Sequence, residues 1–220
     1  MSTLRRNSQS GSSLLEFALF SIFLIPLFMG TVTTGMGLGK SIQVSQVSRD
    51  AGHMFVRQVD FSQTPNKEMI VRLSRGLNMT LSGGNGTVVL TQILMIGPAE
   101  CTAAGLIGAN CTNMYYPVIT QRLVVGNSGL YTSAIGNPDP TLLKPDGTIV
   151  SKDSVTGRGY LTDTSCRANT LSTGGPTPTA GQLTLQSAER TFVSEAYFTV
   201  PQLSFLNHNA PVNLYTRNYF

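Results

Sequence analysis

The sequence predicts an α+β protein. Its expected form is a long N-terminal transmembrane helix continuing into an amphipathic helix, packed on a small antiparallel sheet of three to four strands with long loops. Three observations carry this expectation. Residues 17–39 contain no charged side chain. An apolar stripe at helical spacing follows over residues 40–60, and short β-branched runs bounded by glycine and proline come after it. A helical portion followed by strands, rather than an alternation of the two, is the α+β pattern.

The apolar run is roughly 23 residues at about 1.5 Å each, enough for a hydrocarbon core of about 30 Å. Residues 1–11 are polar and basic and read as an unstructured targeting leader outside the fold. Arg5 and Arg6 set the topology, with the N-terminus cytoplasmic and everything after Lys40 outside. An ordinary secretory signal would have a shorter apolar core and an A-x-A-like cleavage site, and the run here ends in Gly and Thr. Glu16 stands near the start of the run. An ionisable group in a membrane segment points to function, and the plainer alternative places it at headgroup level. Pro26 removes one helix hydrogen bond and is expected to kink the helix. Thr31, Gly35 and Gly39, four residues apart, form either a smooth face for a neighbouring helix or, with Gly30 and Gly37, a flexible exit from the membrane. The heptapeptide GMGLGKS at 35–41 resembles the end of a phosphate loop, but Thr34 occupies the place of the first required glycine.

One family resemblance enters here. Gly11, the four residues Ser12-Ser13-Leu14-Leu15, then Glu16-Phe17 and an apolar helix resemble the class III signal of type IV pilin-like proteins. More narrowly, SGSSLLEFALFSIFLIPLF is similar to the N-terminus of TadE/TadG-like pseudopilins of the tight-adherence (Tad, or Flp) pilus system, and Pro26 matches that family's proline. QVSQVSRDAGHMFVR resembles the helix continuation, so the likeness covers residues 1–60. The resemblance implies a minor pseudopilin, cut by a prepilin peptidase between Gly11 and Ser12, with adhesion, secretion or pilus assembly as its task. It implies that Glu16, followed by Phe17, fixes axial register by pairing with the new Ser12 amine of a neighbouring subunit, while residues 12–39 serve as membrane and assembly helix. The implied partners are the peptidase, other pilin-like subunits and the Tad assembly machinery. The implied location is the bacterial inner membrane in a single pass, and the resemblance leaves open whether the subunit enters the surface fibre, stays at its base or acts at its tip. The major Flp pilin is little more than a helix, so a chain of 220 residues fits a minor subunit. Type II secretion and type IVa minor subunits are the near alternative, but their usual G-F-T-L-x-E departs from this chain at Ser12. A different class of reading is an unprocessed, membrane-anchored extracytoplasmic binding module.

The remaining elements follow in order. Ile42, Val44, Val47, Ala51, Met54, Phe55 and Val59 form the stripe of a helical extension over 40–60. Residues 61–220 read as one extracytoplasmic α+β domain. Residues 66–77 follow Pro65 and read as a second short helix. Strands are expected at 87–96, stopped by Gly97-Pro98, at 116–125, and at 191–200, where Phe192, Ser194, Ala196 and Phe198 alternate with Val193, Glu195, Tyr197 and Thr199. Residues 211–220 add an edge strand. Between them, 129–181 is a loop-rich insertion punctuated by Asn137-Pro138 and Lys144-Pro145-Asp146-Gly147, read as a mobile excursion with a surface binding loop as the alternative, and 172–181 is expected to be disordered. Strand order is not derivable from the pattern.

Composition narrows the function classes. Only 12% of residues are charged, and two of the four net positive charges belong to Arg5 and Arg6, so no basic patch supports a nucleic-acid partner. Cys101, Cys111 and Cys166 lie on the expected outer side, where an oxidising compartment allows a Cys101–Cys111 bridge. Three pairings exist and each leaves one cysteine over. No ligand spacing for a metal, no cofactor motif and no nucleophile motif is present, so neither an enzyme nor a metal or cofactor protein is expected. Asp139, Asp146, Asp153 and Asp163 read as solvated turn residues.

Overall fold

A computed structural model describes residues 9–106, 108–168, 185–201 and 211–220. Arg5, Arg6 and the low-complexity stretch 172–181 lie outside the described residues. Helix α1, Gln9–Val56, is one unbroken element of 48 residues with Pro26 inside it. It starts within the expected leader, so the Gly11–Ser12 peptide bond lies in helical backbone rather than in an unstructured tail. Once a long helix exists, each added residue gains a hydrogen bond at small cost, and nothing between Gln9 and Ser12 breaks it. The helix also runs uninterrupted through Gly30, Gly35, Gly37 and Gly39, contrary to the flexible exit those glycines suggest. The threonines there make back-bonds, Thr31 to Phe28 O and both Thr33 and Thr34 to Gly30 O. Their hydroxyls therefore need no outside partner.

Helix α2 is Thr64–Leu73, opened by Pro65 in its first turn, and Ile70 faces the core. Four strands follow: β1, Gly86–Met95; β2, Pro117–Gly126; β3, Arg190–Val200; and β4, Val212–Tyr219. They form one antiparallel sheet in the order β2-β1-β3-β4. Thr120 is an extra residue in β2, because Gln92 pairs with Gln121 and Ile93 pairs with Ile119.

The inner face of the sheet carries Val88, Leu90, Leu123, Val125, Ala196, Phe198 and Val200. Against it pack Val44, Val47, Ala51 and Phe55 of α1, together with Phe61, Ile70 and Leu77. Ile42, assigned by spacing to the same stripe, is exposed. Ser48 replaces an apolar residue at the contact and is satisfied there, donating to Ser194 O and accepting from Asn218 Nδ2. Gly52 gives Phe220 room, since a Cβ there would collide with the Phe220 ring.

The outer face is covered too. Ile93, Ile119 and Val193 pack beneath Ile135, Ile149, Leu161 and Cys166 of the insertion. The sequence expectation of a mobile excursion is therefore corrected for residues 129–168, whose apolar side chains form a second core. Asn113 clamps this layer, donating to Tyr160 O and Asp163 O at 2.8 and 2.6 Å while accepting from Arg167 Nε at 2.8 Å. Because β1 is covered on both faces, it is buried along nearly its whole length and its apolar residues Val88, Val89, Leu90, Ile93 and Leu94 do not alternate with polar ones. A short helix, α3, Pro98–Ala103, lies in the expected cysteine loop. There Cys101 and Cys111 form a disulfide with their Cα atoms 5.8 Å apart, and Cys166 is a buried free thiol.

Candidate functional site

The first candidate is the N-terminal half of α1. Every large apolar side chain from Leu14 to Phe28 is more than half exposed, Phe17 reaching 74%. Singly exposed apolar residues are ordinary, but a contiguous apolar cylinder of this size needs an apolar medium or a partner. The helix is long and apolar enough to cross a membrane. A hydrocarbon core of about 30 Å takes about 20 residues of it, a span such as 17–36. Among the described residues, Gly30, Gly35, Gly37 and Gly39 have no neighbour that an added Cβ would meet, so the small-residue face is open to them.

Glu16 is exposed on this cylinder, and among the described residues it has no hydrogen bond or ion pair. Lys40 is the next charged residue along the chain, 24 positions on, or about 36 Å of helix. Lys40 Nζ donates to Pro201 O at 3.3 Å, tying the helix to the end of β3. This contact marks where the folded domain begins. A groove of about 380 Å³ opens there between Met36 and Leu38 of α1 and Val200, Val212 and Leu214 of the sheet. The segment GMGLGKS lies within this helix, and its backbone N–H groups are engaged in helical bonds instead of being turned toward a phosphate.

The loop aspartates are already employed. Asp139 accepts from Thr141 N, Asp146 from Thr148 N, Asp153 from Val155 N and Asp163 from Ser165 N, each closing its own turn. Among the described residues no three His, Cys, Asp or Glu side chains are placed to hold a metal ion. Arg158 bridges Asp139 at 2.6 Å and Asp163 at 2.9 Å, pinning two turns of the insertion together. The hydrogen bond from Arg158 holds the Asp139 carboxyl down to about 2. A carboxyl depressed in the folded state contributes stability that is present above its ordinary pKa and is lost as pH falls through the folded value. Residues 139–163 are therefore expected to loosen between about pH 4 and 2, read as faster limited proteolysis by pepsin, and Asp139→Asn should shrink that acid step without abolishing it, because Arg158 also bridges Asp163, whose carboxyl is likewise held down.

A second cluster was not legible as a site. Glu195 on β3 is fully buried on the outer face of the sheet. Its Oε1 accepts from Tyr131 at 2.9 Å, Tyr215 at 2.8 Å and Arg217 Nη2 at 2.9 Å, and its Oε2 accepts from Ser133. The Tyr131 ring stacks on Tyr197 with centroids 5.3 Å apart. Burial lowers the Arg122 guanidinium to about 10, against the pull of Glu195. The only sequence signal was a glutamate at an otherwise uncharged strand position.

Comparisons with known proteins add no assignment. No family model, curated protein or solved structure matches this chain. The site therefore rests on its own geometry: an unpartnered apolar helix half with one carboxylate, joined without interruption to a half that packs on a sheet.

Proposed function

We propose that this chain is a minor pilin-like subunit of a Tad/Flp-type pilus, anchored in the bacterial inner membrane by residues 12–39 and built to hand that helix to other subunits. The single observation that supports this reading is the division of α1. Its first half exposes apolar side chains all round, and its second half, from Val44 to Phe55, is a one-sided stripe buried against the sheet. A helix that is apolar all round belongs in a membrane or inside an assembly, whereas a one-sided stripe belongs at the edge of a folded domain. One helix carrying both lets a subunit leave the bilayer for a fibre while its domain stays folded.

In this reading a prepilin peptidase cuts between Gly11 and Ser12. The new Ser12 ammonium of one subunit then pairs with Glu16 of the next. Each charge is costly in hydrocarbon, and together they neutralise one another. An axial slip leaves both unpaired, so the pair sets the register. The domain stays outside the cytoplasm, where the Cys101–Cys111 disulfide is stable.

The test is the mass and N-terminal residue of membrane-extracted protein from cells with and without the prepilin peptidase. The expected result is a chain that begins at Ser12 only where the peptidase is present. A chain that keeps its leader in both strains would overturn processing, and the protein would then be read as a membrane-tethered binding module.

A further inference from the structure

The inner face of the sheet changes chemistry where α1 ends. Along β1 the inward residues run Val88, Leu90 and then Gln92, and along β2 they run Val125, Leu123 and then Gln121. Gln92 and Gln121 are direct cross-strand partners. Helix α1 stops at Val56, so these amides meet a cleft of about 380 Å³ instead of a helix. Phe192, set edge-on to Phe55 with centroids 5.5 Å apart, forms its apolar wall. Asp60, Asp146 and Arg190 stand around it. About 16 residues, or roughly 24 Å of helix, separate it from Lys40, so it lies at the end of the domain remote from the membrane helix.

The groups in the cleft have capacity to spare. Asp146 uses Oδ1 for Thr148, and Gln121 Nε2 donates to Asp146 O at 3.1 Å, which fixes the amide in place. Among the described residues the Gln92 amide and the Arg190 guanidinium make no hydrogen bond. Hydrogen bonds from Ser62 and Thr148 hold the Asp60 and Asp146 carboxyls below their ordinary values.

Gln58 at the lip carries a second signal. Its N–H donates to Phe55 O at 2.9 Å and Val59 N–H donates to Met54 O at 3.1 Å, the paired bonds that end a helix through a left-handed residue. Gln58 has φ of +61°, where glycine is the usual choice. A strained side chain is kept at the rim of a polar cleft.

We propose that this cleft binds a neutral saccharide unit, with the Gln92 and Gln121 amides meeting adjacent hydroxyls, Asp146 accepting from another, and Phe192 lying against the C–H face of the ring. Amides both donate and accept, as hydroxyls require. Two carboxylates beside one guanidinium disfavour phosphates and acidic sugars. The proposal goes beyond the pilus reading and does not depend on processing at Gly11, so the two fail separately.

The test is saturation-transfer NMR and titration of the full chain in a zwitterionic detergent, so that no sugar headgroup competes. The probes are maltose, the N-acetylglucosamine disaccharide and glucuronic acid. The expected result is transfer from at least one neutral disaccharide and none from glucuronic acid, with affinity reduced at least about tenfold in Gln92→Ala/Gln121→Ala, at a folded thermal transition. Gln58→Gly should raise Tm while weakening saccharide affinity, a pair of effects that a purely structural role would not produce. No transfer from either neutral probe, equal transfer from glucuronic acid, or unchanged affinity in the double variant would overturn the proposal.

Discussion

Replacing Glu195 by alanine is expected to lower the unfolding free energy by about 3–5 kcal/mol, the range for removing one partner of a buried ion pair. The loss has two parts. Tyr131, Tyr215 and Ser133 each lose the acceptor they now bond, and Arg217 loses its carboxylate. Arg122 also loses the carboxylate charge that favours its buried guanidinium, whose Nε and Nη2 have no hydrogen-bond partner among the described residues. The control is Glu195→Gln, which keeps acceptor capacity for the tyrosines but removes the charge, and should cost about 1–3 kcal/mol. Urea unfolding of the full chain in detergent, followed by tyrosine fluorescence, reads both. A loss below about 1 kcal/mol for the alanine variant would show that these groups find water instead, and that the insertion is not held by this carboxylate.

Removing the Cys101–Cys111 disulfide is expected to cost about 2–3 kcal/mol, from the closure entropy of a ten-residue separation. The bridge ties α3 to the turn that leads into β2, beside Leu106 and Ile96 of the outer core. Cys101→Ser/Cys111→Ser should therefore loosen the outer layer before the helix-packed inner layer, seen as earlier hydrogen exchange in residues 96–116. Cys166 supplies an independent check. Burial pushes its thiol up to about 11, so it should resist alkylation in the folded protein. Denaturation without reductant should expose that one thiol, and reductant should expose all three. Two reactive thiols in the native chain would contradict the pairing.

Much of the architecture was legible because local pattern and tertiary demand agree. Pro65 opens α2, and Gly97-Pro98 stops β1 just beyond its last residue. The expected strand at 191–200 differs from β3 by one residue. The expectation of a mobile insertion misses the second face of the sheet. Residues 129–168 contain abundant turn residues, and the large aliphatic side chains that become buried, Ile135, Ile149 and Leu161, are too widely spaced to show a period. Each finds a place on the outer face only after β1, β2 and β3 have come together. The Glu195 cluster has the same origin: Tyr131 and Ser133 from a loop and Tyr215 and Arg217 from β4 reach one carboxylate on β3. The amide pair at Gln92 and Gln121 gave a weak hint as polar breaks in apolar runs.

The sequence by itself determined the elements with strong local signatures. These are the uncharged apolar span from Phe17 to Gly39, the lone Glu16, the amphipathic continuation and the strands with their glycine and proline stops. Each depends on residues within a few turns or one strand, so proximity in the chain suffices to state it. Only the tertiary structure decided the sheet order, the covering of its second face, the partners of Glu195 and the cleft at the end of α1. Those depend on side chains far apart in sequence, and their burial and hydrogen bonding are settled by which surfaces the packed sheet leaves to be covered.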